Sequence, residues 1–118
     1  MPRIQPLKLI AVIAACLLIS ACGSAKKNVS LKVQSDPLGA YALMQIKYKG
    51  DENTDWRFLG ATPVIANKEI LTSDATEVSI RVIRPGYYDQ TKTWFVKDFL
   101  REYADNKQIV WVPRLVKE

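Results

Sequence analysis

Histidine is absent from this chain, and only two of its 118 residues are cysteine. Without histidine there is no side chain whose ordinary ionisation suits proton transfer near neutral pH, and the usual imidazole-rich metal sites have no ligands. Glycine is also scarce, at five residues, and no glycine-rich phosphate-binding loop can be assembled from them. The longest apolar run, "LIAVIAACLLI" from Leu9 to Ile19, has eleven residues. At 1.5 Å per residue it reaches only about half of a ~30 Å hydrocarbon core, too short for a permanent span. Basic residues outnumber acids 17 to 12 but form no stripe, so a nucleic-acid partner is not expected. These absences predict a protein that is not an enzyme, with no catalytic residues, no metal site and no cofactor beyond the covalent lipid considered next.

The beginning of the chain is informative. "MPRIQPLK" carries Arg3 and Lys8 and no acid, the apolar run follows, and "SACGS" closes it. A basic start, a short apolar stretch and then small residues is the layout of a secretory signal. Its boundary, Ile19-Ser20-Ala21-Cys22, resembles the lipobox of bacterial lipoproteins: aliphatic, small, small, cysteine. The resemblance implies cleavage between Ala21 and Cys22, a thioether-linked diacylglycerol on the Cys22 sulfur, and acylation of the new amino terminus. Cys16 would leave with the leader, so the remaining cysteine has no internal partner for a disulfide. Gly23 and Ser24 follow Cys22 where an aspartate would favour retention at an inner membrane of Gram-negative bacteria, which implies an outer-membrane lipoprotein facing the periplasm, with the cell surface as the alternative. Loss of residues 1–21 takes Lys and Arg from 17 to 15 against 12 acids, a net charge of +3.

The expected organisation is therefore a cleaved leader over 1–21, a lipidated Cys22 with a flexible linker over 22–28, and a folded domain over 29–118. Within the domain, apolar and polar residues alternate, the mark of half-buried strands. Val29, Leu31 and Val33 share one face; Ala42, Met44, Ile46 and Tyr48 share another, with Tyr41, Leu43 and Gln45 opposite. Val78, Ile80 and Val82 point inward, with Glu77, Ser79 and Arg81 outward. Further strands are expected near Thr91–Val96 and Gln108–Val112. Only "KDFLREYADN" has helical spacing, predicting a short helix near residues 97–104, with an extended loop as the alternative. Strands at short intervals between Pro and Gly turns predict an all-β fold, a small antiparallel sandwich or barrel.

The turns themselves carry a resemblance. "SDPLGA" at 35–40 looks like the opening signature of PEGA domains, with Leu38 in place of Glu. "LGATPV" at 59–64 resembles that family's Gly-x-Thr-Pro step, and "VIRPGYYD" at 82–89 its Pro-Gly-Tyr step. The resemblance implies a compact, transthyretin-like β-sandwich. The segment from Ala40 to Gly60 is longer than the short hairpin usual there, so "KYKGDENTDWRF" reads as an extended hairpin or inserted loop.

Candidate contact residues gather in that segment: Asp51, Asp55 and Trp56. "DENTD" begins like a calcium loop but fails it, because Trp56 stands where the sharp-turn glycine belongs and Thr62 where the bidentate glutamate belongs. A solvated hairpin tip with Trp56 as an exposed contact is the expectation, while Trp94 and Trp111 are expected in the core. The sequence thus points to a lipid-anchored, non-enzymatic envelope protein. Its partners would be the membrane, through the anchor, and an envelope protein or cell-wall glycan, met by hairpin tips and edge strands. The alternative is a structural accessory subunit of an envelope secretion or transport complex.

Overall fold

The computed structural model describes residues 26–51 and 54–118. The leader, Ala21, Cys22 and the first part of the expected linker lie outside the described residues. Seven strands and one helix follow in the order β1 (Lys26–Val33), β2 (Tyr41–Tyr48), β3 (Arg57–Ala61), β4 (Val64–Leu71), β5 (Ala75–Ile83), β6 (Gln90–Phe95), α1 (Val96–Asn106) and β7 (Ile109–Trp111). They form two sheets, β4-β1-β7 and β3-β2-β5-β6, and every strand pair is antiparallel except β1 with β7. The fold is the expected small all-β sandwich, with one parallel pair added.

The alternation places the core where it was expected. Val29, Leu31 and Val33 of β1 face Ala42 and Met44 of β2 and Val78, Ile80 and Val82 of β5, all buried. Fully buried side chains of this size stabilise by about 1.5–3 kcal/mol each. β1 begins at Lys26, so Lys26, Lys27 and Asn28 belong to the sheet and not to a linker. The cause is β4, whose full length pairs with β1 from Val33↔Val64 to Lys26↔Leu71.

Both open sides of the sandwich are managed differently. On one side, β3 passes directly into β4 through Thr62 and Pro63, carrying the chain from sheet to sheet. On the other, α1 lies against β5, β6 and β7 and closes the gap. Val96, Phe99, Leu100 and Tyr103, at helical spacing, turn to the core. Phe99 is fully buried and meets the Trp94 ring edge to face at 5.5 Å and 75°. The Trp94 indole N–H donates to Glu102 Oε2 at 2.9 Å, tying the helix back to β6. The helix spans eleven residues, longer than expected, and ends where Lys107 takes a left-handed conformation and donates to the Tyr103 carbonyl.

The three turn signals meet at one end of the sandwich. Gly39 has φ +88°, which the turn after Pro37 requires. The Ala40 N–H donates to Thr62 Oγ1 at 2.9 Å, Thr62 and Ser35 share a 2.6 Å hydroxyl bond, and Ser35 Oγ donates to the Pro37 carbonyl at 2.7 Å. The third turn is held by the final segment of the chain: Tyr88 N–H donates to the Val116 carbonyl and Glu118 N–H to that of Gly86.

Gly60 carries a testable constraint. Its φ is +151°, and a Cβ there would stand 2.8 Å from Val64 Cγ2. Gly60→Ala is expected to destabilise by about 1–3 kcal/mol through backbone strain and overlap. A melting curve should fall by roughly 5–20 °C. Adding Val64→Ala should return part of that loss, because it removes the overlap and leaves the backbone strain.

Candidate functional site

The segment before β3 divides the sequence-predicted residues between two places. Successive residues of an extended chain point to opposite sides. Asp55 turns inward and, with Asp51, lines a cleft between the sheets; Trp56 turns to the outer face of the four-stranded sheet. The hairpin segment therefore does not present Asp51, Asp55 and Trp56 as one cluster.

The cleft has a volume of about 360 Å³, with Met44, Ile46 and Tyr48 of β2 forming its apolar lining. Arg57 of β3 and Lys68 of β4 line it from the two edge strands. Among the described residues neither cation has an ion-pair partner, whereas Glu69 pairs with Lys26 at 3.5 Å. No three acids, cysteines or histidines among the described residues stand close enough to hold a metal ion.

The placement of Arg57 and Lys68 bears on how this molecule can meet others. Each sits on an edge strand, opposite a core residue: Met44↔Arg57 and Val29↔Lys68. Lys92, on the edge strand β6, likewise stands opposite Ile80 and lies over the Trp94 ring at 4.8 Å. Inward charges on edges resist pairing with a further strand, because docking would bury them. β7 has only three residues, and β3 is interrupted by an irregularity opposite Ala42 and Leu43. Strand addition, the contact mode expected from the sequence, is therefore discouraged at each edge.

What remains open is the outer face of the four-stranded sheet. Its cross-strand rows are Phe58↔Leu43↔Arg81↔Thr91, Ala61↔Tyr41↔Ile83, Gln45↔Ser79↔Thr93 and Lys47↔Glu77↔Phe95. Phe58 is 59% exposed and Tyr41 50%, their ring centroids 6.0 Å apart. Trp56 is half-buried and not the free contact expected, because the Arg81 guanidinium lies 4.3 Å from its ring centroid. Two hydrogen bonds fix this pair. Gln45 Nε2 donates to the Thr54 carbonyl at 2.6 Å, holding the approach to Trp56, and Arg81 Nε donates to Thr91 Oγ1 at 3.2 Å. Among the described residues no other element covers these rows, and the helix lies on the opposite side with Trp94.

Sequence reasoning singled out Trp56 but not Arg81, Tyr41 or Phe58 as its neighbours. Alternation already turned Tyr41 and Arg81 outward; the strand order that sets them beside one another carries no local signal. Trp94 is buried as expected, and Trp111 is half-buried against the core. No protein-family model, curated protein or solved structure matches the chain.

Proposed function

We propose that this chain is a non-enzymatic, lipid-anchored protein of the bacterial cell envelope that holds a PEGA-like β-sandwich at the outer membrane, facing the periplasm. It contacts an envelope protein through the uncovered face of the four-stranded sheet. The observation that carries this reading is that face: solvent-exposed tyrosine and phenylalanine beside an arginine–tryptophan stack. Aromatic residues and arginine are the types enriched where proteins meet proteins. The same composition fits a protein partner, which we take in preference to a cell-wall glycan. It also supports the second reading, a subunit seated in a larger envelope secretion or transport complex.

The anchor rests on Ile19-Ser20-Ala21-Cys22. Only Gly23, Ser24 and Ala25 separate Cys22 from β1 at Lys26. Four residue steps reach at most ~14 Å, so a lipid on Cys22 keeps the sandwich against the membrane surface. Each buried methylene of such a lipid contributes about 0.8 kcal/mol, and more than one chain makes attachment durable.

In Gram-negative cells producing the full chain, mass spectrometry is expected to find residues 1–21 removed and a multiply acylated Cys22, with the protein in the outer-membrane fraction. Cys22→Ser should keep its leader and lose the acyl mass entirely. A cleaved chain with a free thiol at residue 22 would overturn the anchor. If the native protein cross-links to no other envelope protein through residues introduced at Tyr41 or Phe58, the contact face is wrong.

A further inference from the structure

Arg81 is a cation fixed in orientation but without an ion-pair partner among the described residues. Its side chain is held twice, by stacking on Trp56 at 4.3 Å and by the Nε–H bond to Thr91 Oγ1 at 3.2 Å. Immobilising so flexible a side chain carries an entropic cost. Yet no carboxylate lies within ion-pair distance of it among the described residues, and Glu77, two rows away, is already paired with Lys47 at 3.7 Å. With Nε committed to Thr91, the two terminal nitrogens remain to make paired hydrogen bonds. Guanidinium and carboxylate match in that geometry, and an orientation fixed in advance raises the affinity of such a pair.

The surroundings define what accompanies the carboxylate. Leu43 lies beside Arg81 in the sheet and Phe58 beyond it, with Tyr41 and Ile83 on the adjacent row. We infer that the outer face of the four-stranded sheet reads an acidic residue flanked by apolar ones on a partner polypeptide: the carboxylate is held by the terminal nitrogens of Arg81, and an apolar neighbour rests on Tyr41 and Phe58. This inference rests on the contact face proposed above and names the chemistry of its partner. The commitment to a polypeptide follows from charge complementarity at a single fixed cation within an apolar field. A phosphate-bearing lipid surface would call for several cations, and among the described residues of these rows Arg81 alone is a cation outside an ion pair, Lys47 being paired with Glu77.

The test uses the full chain in zwitterionic detergent micelles, with Arg81 Nε–H and the Trp56 indole N–H followed by nuclear magnetic resonance. The probes are two blocked tripeptides, acetyl-Leu-Glu-Leu-amide and acetyl-Leu-Gln-Leu-amide. The glutamate peptide is expected to shift both signals and to bind at least tenfold tighter than its glutamine counterpart. Arg81→Gln, a change on the solvent side of the sheet, should remove that preference while leaving the melting temperature within a few degrees. Trp56→Leu should weaken glutamate binding several-fold by freeing the guanidinium. Equal binding of the two peptides, or an unchanged preference in Arg81→Gln, would overturn the inference. So would stronger shifts at Arg81 from glucuronate or from phosphatidylglycerol added to the micelles. Cross-linking at Tyr41 or Phe58 together with a failed peptide preference would leave the contact face standing and refute only the carboxylate.

Discussion

Replacing Phe99 by alanine is expected to destabilise the domain by about 3–5 kcal/mol, a large part of the 5–15 kcal/mol typical of a small domain. The ring is the largest fully buried side chain among the described residues and packs against Trp94 at 5.5 Å. Its loss leaves a cavity that the surrounding core fills only in part, because the side chains packed around it hold the sheets and helix apart. It also loosens the helix whose Glu102 accepts the Trp94 indole bond at 2.9 Å. The melting midpoint should fall by roughly 15–30 °C, and the near-ultraviolet signal of Trp94 should weaken even where the chain remains folded. Phe99→Leu should cost far less, about 1–1.5 kcal/mol. Equal stability of Phe99→Ala and the native chain would mean that the helix is not part of the core.

The second large effect is expected at Thr62→Val. The substitution preserves shape and removes one hydroxyl from a buried relay running Ala40 N–H to Thr62, Thr62 to Ser35, and Ser35 to the Pro37 carbonyl. Because the Ser35 proton goes to Pro37, Thr62 is the donor in its bond with Ser35. Valine leaves the Ala40 N–H without an acceptor and Ser35 Oγ without a donor in a region that water does not reach. Orphaned buried groups cost about 1–3 kcal/mol each, so a loss of about 2–4 kcal/mol is expected. Every buried side-chain nitrogen and oxygen among the described residues otherwise has a partner, so this defect would stand alone. Urea denaturation should show a lower midpoint with an unchanged slope, and the Ala40 amide should exchange faster. Thr62→Ser, which keeps the hydroxyl, should retain most of the stability. A valine variant as stable as the serine one would show that the relay contributes nothing.

These two sites also mark how far the fold could be read from residue order. The inward faces of β1, β2 and β5 were legible because each is flanked by strands on both sides and follows strict alternation; Val29, Leu31, Val33, Val78, Ile80 and Val82 are all buried. β4 was not legible. In "VIANKEIL" the inward positions are Val64, Ala66, Lys68 and Ile70, and Lys68 breaks the apolar series. The break is a property of an edge, where an inward cation reaches the cleft and guards against unwanted pairing. β3 was hidden in the same way by Arg57, within a segment that reads as a loop. The helix was visible from Phe99, Leu100 and Tyr103, while the exposed Asp105 and Asn106 that lengthen it carry no apolar signal.

The candidate site was legible one residue at a time and not as a group. Trp56 stood out because an aromatic beside so many acids has an obvious alternative to burial. Arg81 and Tyr41 were turned outward by their strands' alternation. That they share a face with Phe58 depends on β2 lying between β3 and β5, a fact of pairing order. Asp51 and Asp55, which composition grouped with Trp56, belong to the inner cleft because one step along an extended chain reverses the direction of a side chain.

The parallel pairing of β1 with β7 has a bearing on when this molecule can acquire its shape. Leu31 is partnered by Ile109, and a side-chain bond between Ser30 and Gln108 spans 78 positions. Closing a loop of that length opposes folding by roughly 4 kcal/mol, and nothing made earlier in synthesis can substitute for the late strand. A polypeptide emerging from its amino terminus therefore holds its first strand half-matched until the region around residue 109 has appeared. Such a delay leaves the newly made chain short of its last β-ladder until almost the whole of it has been synthesised.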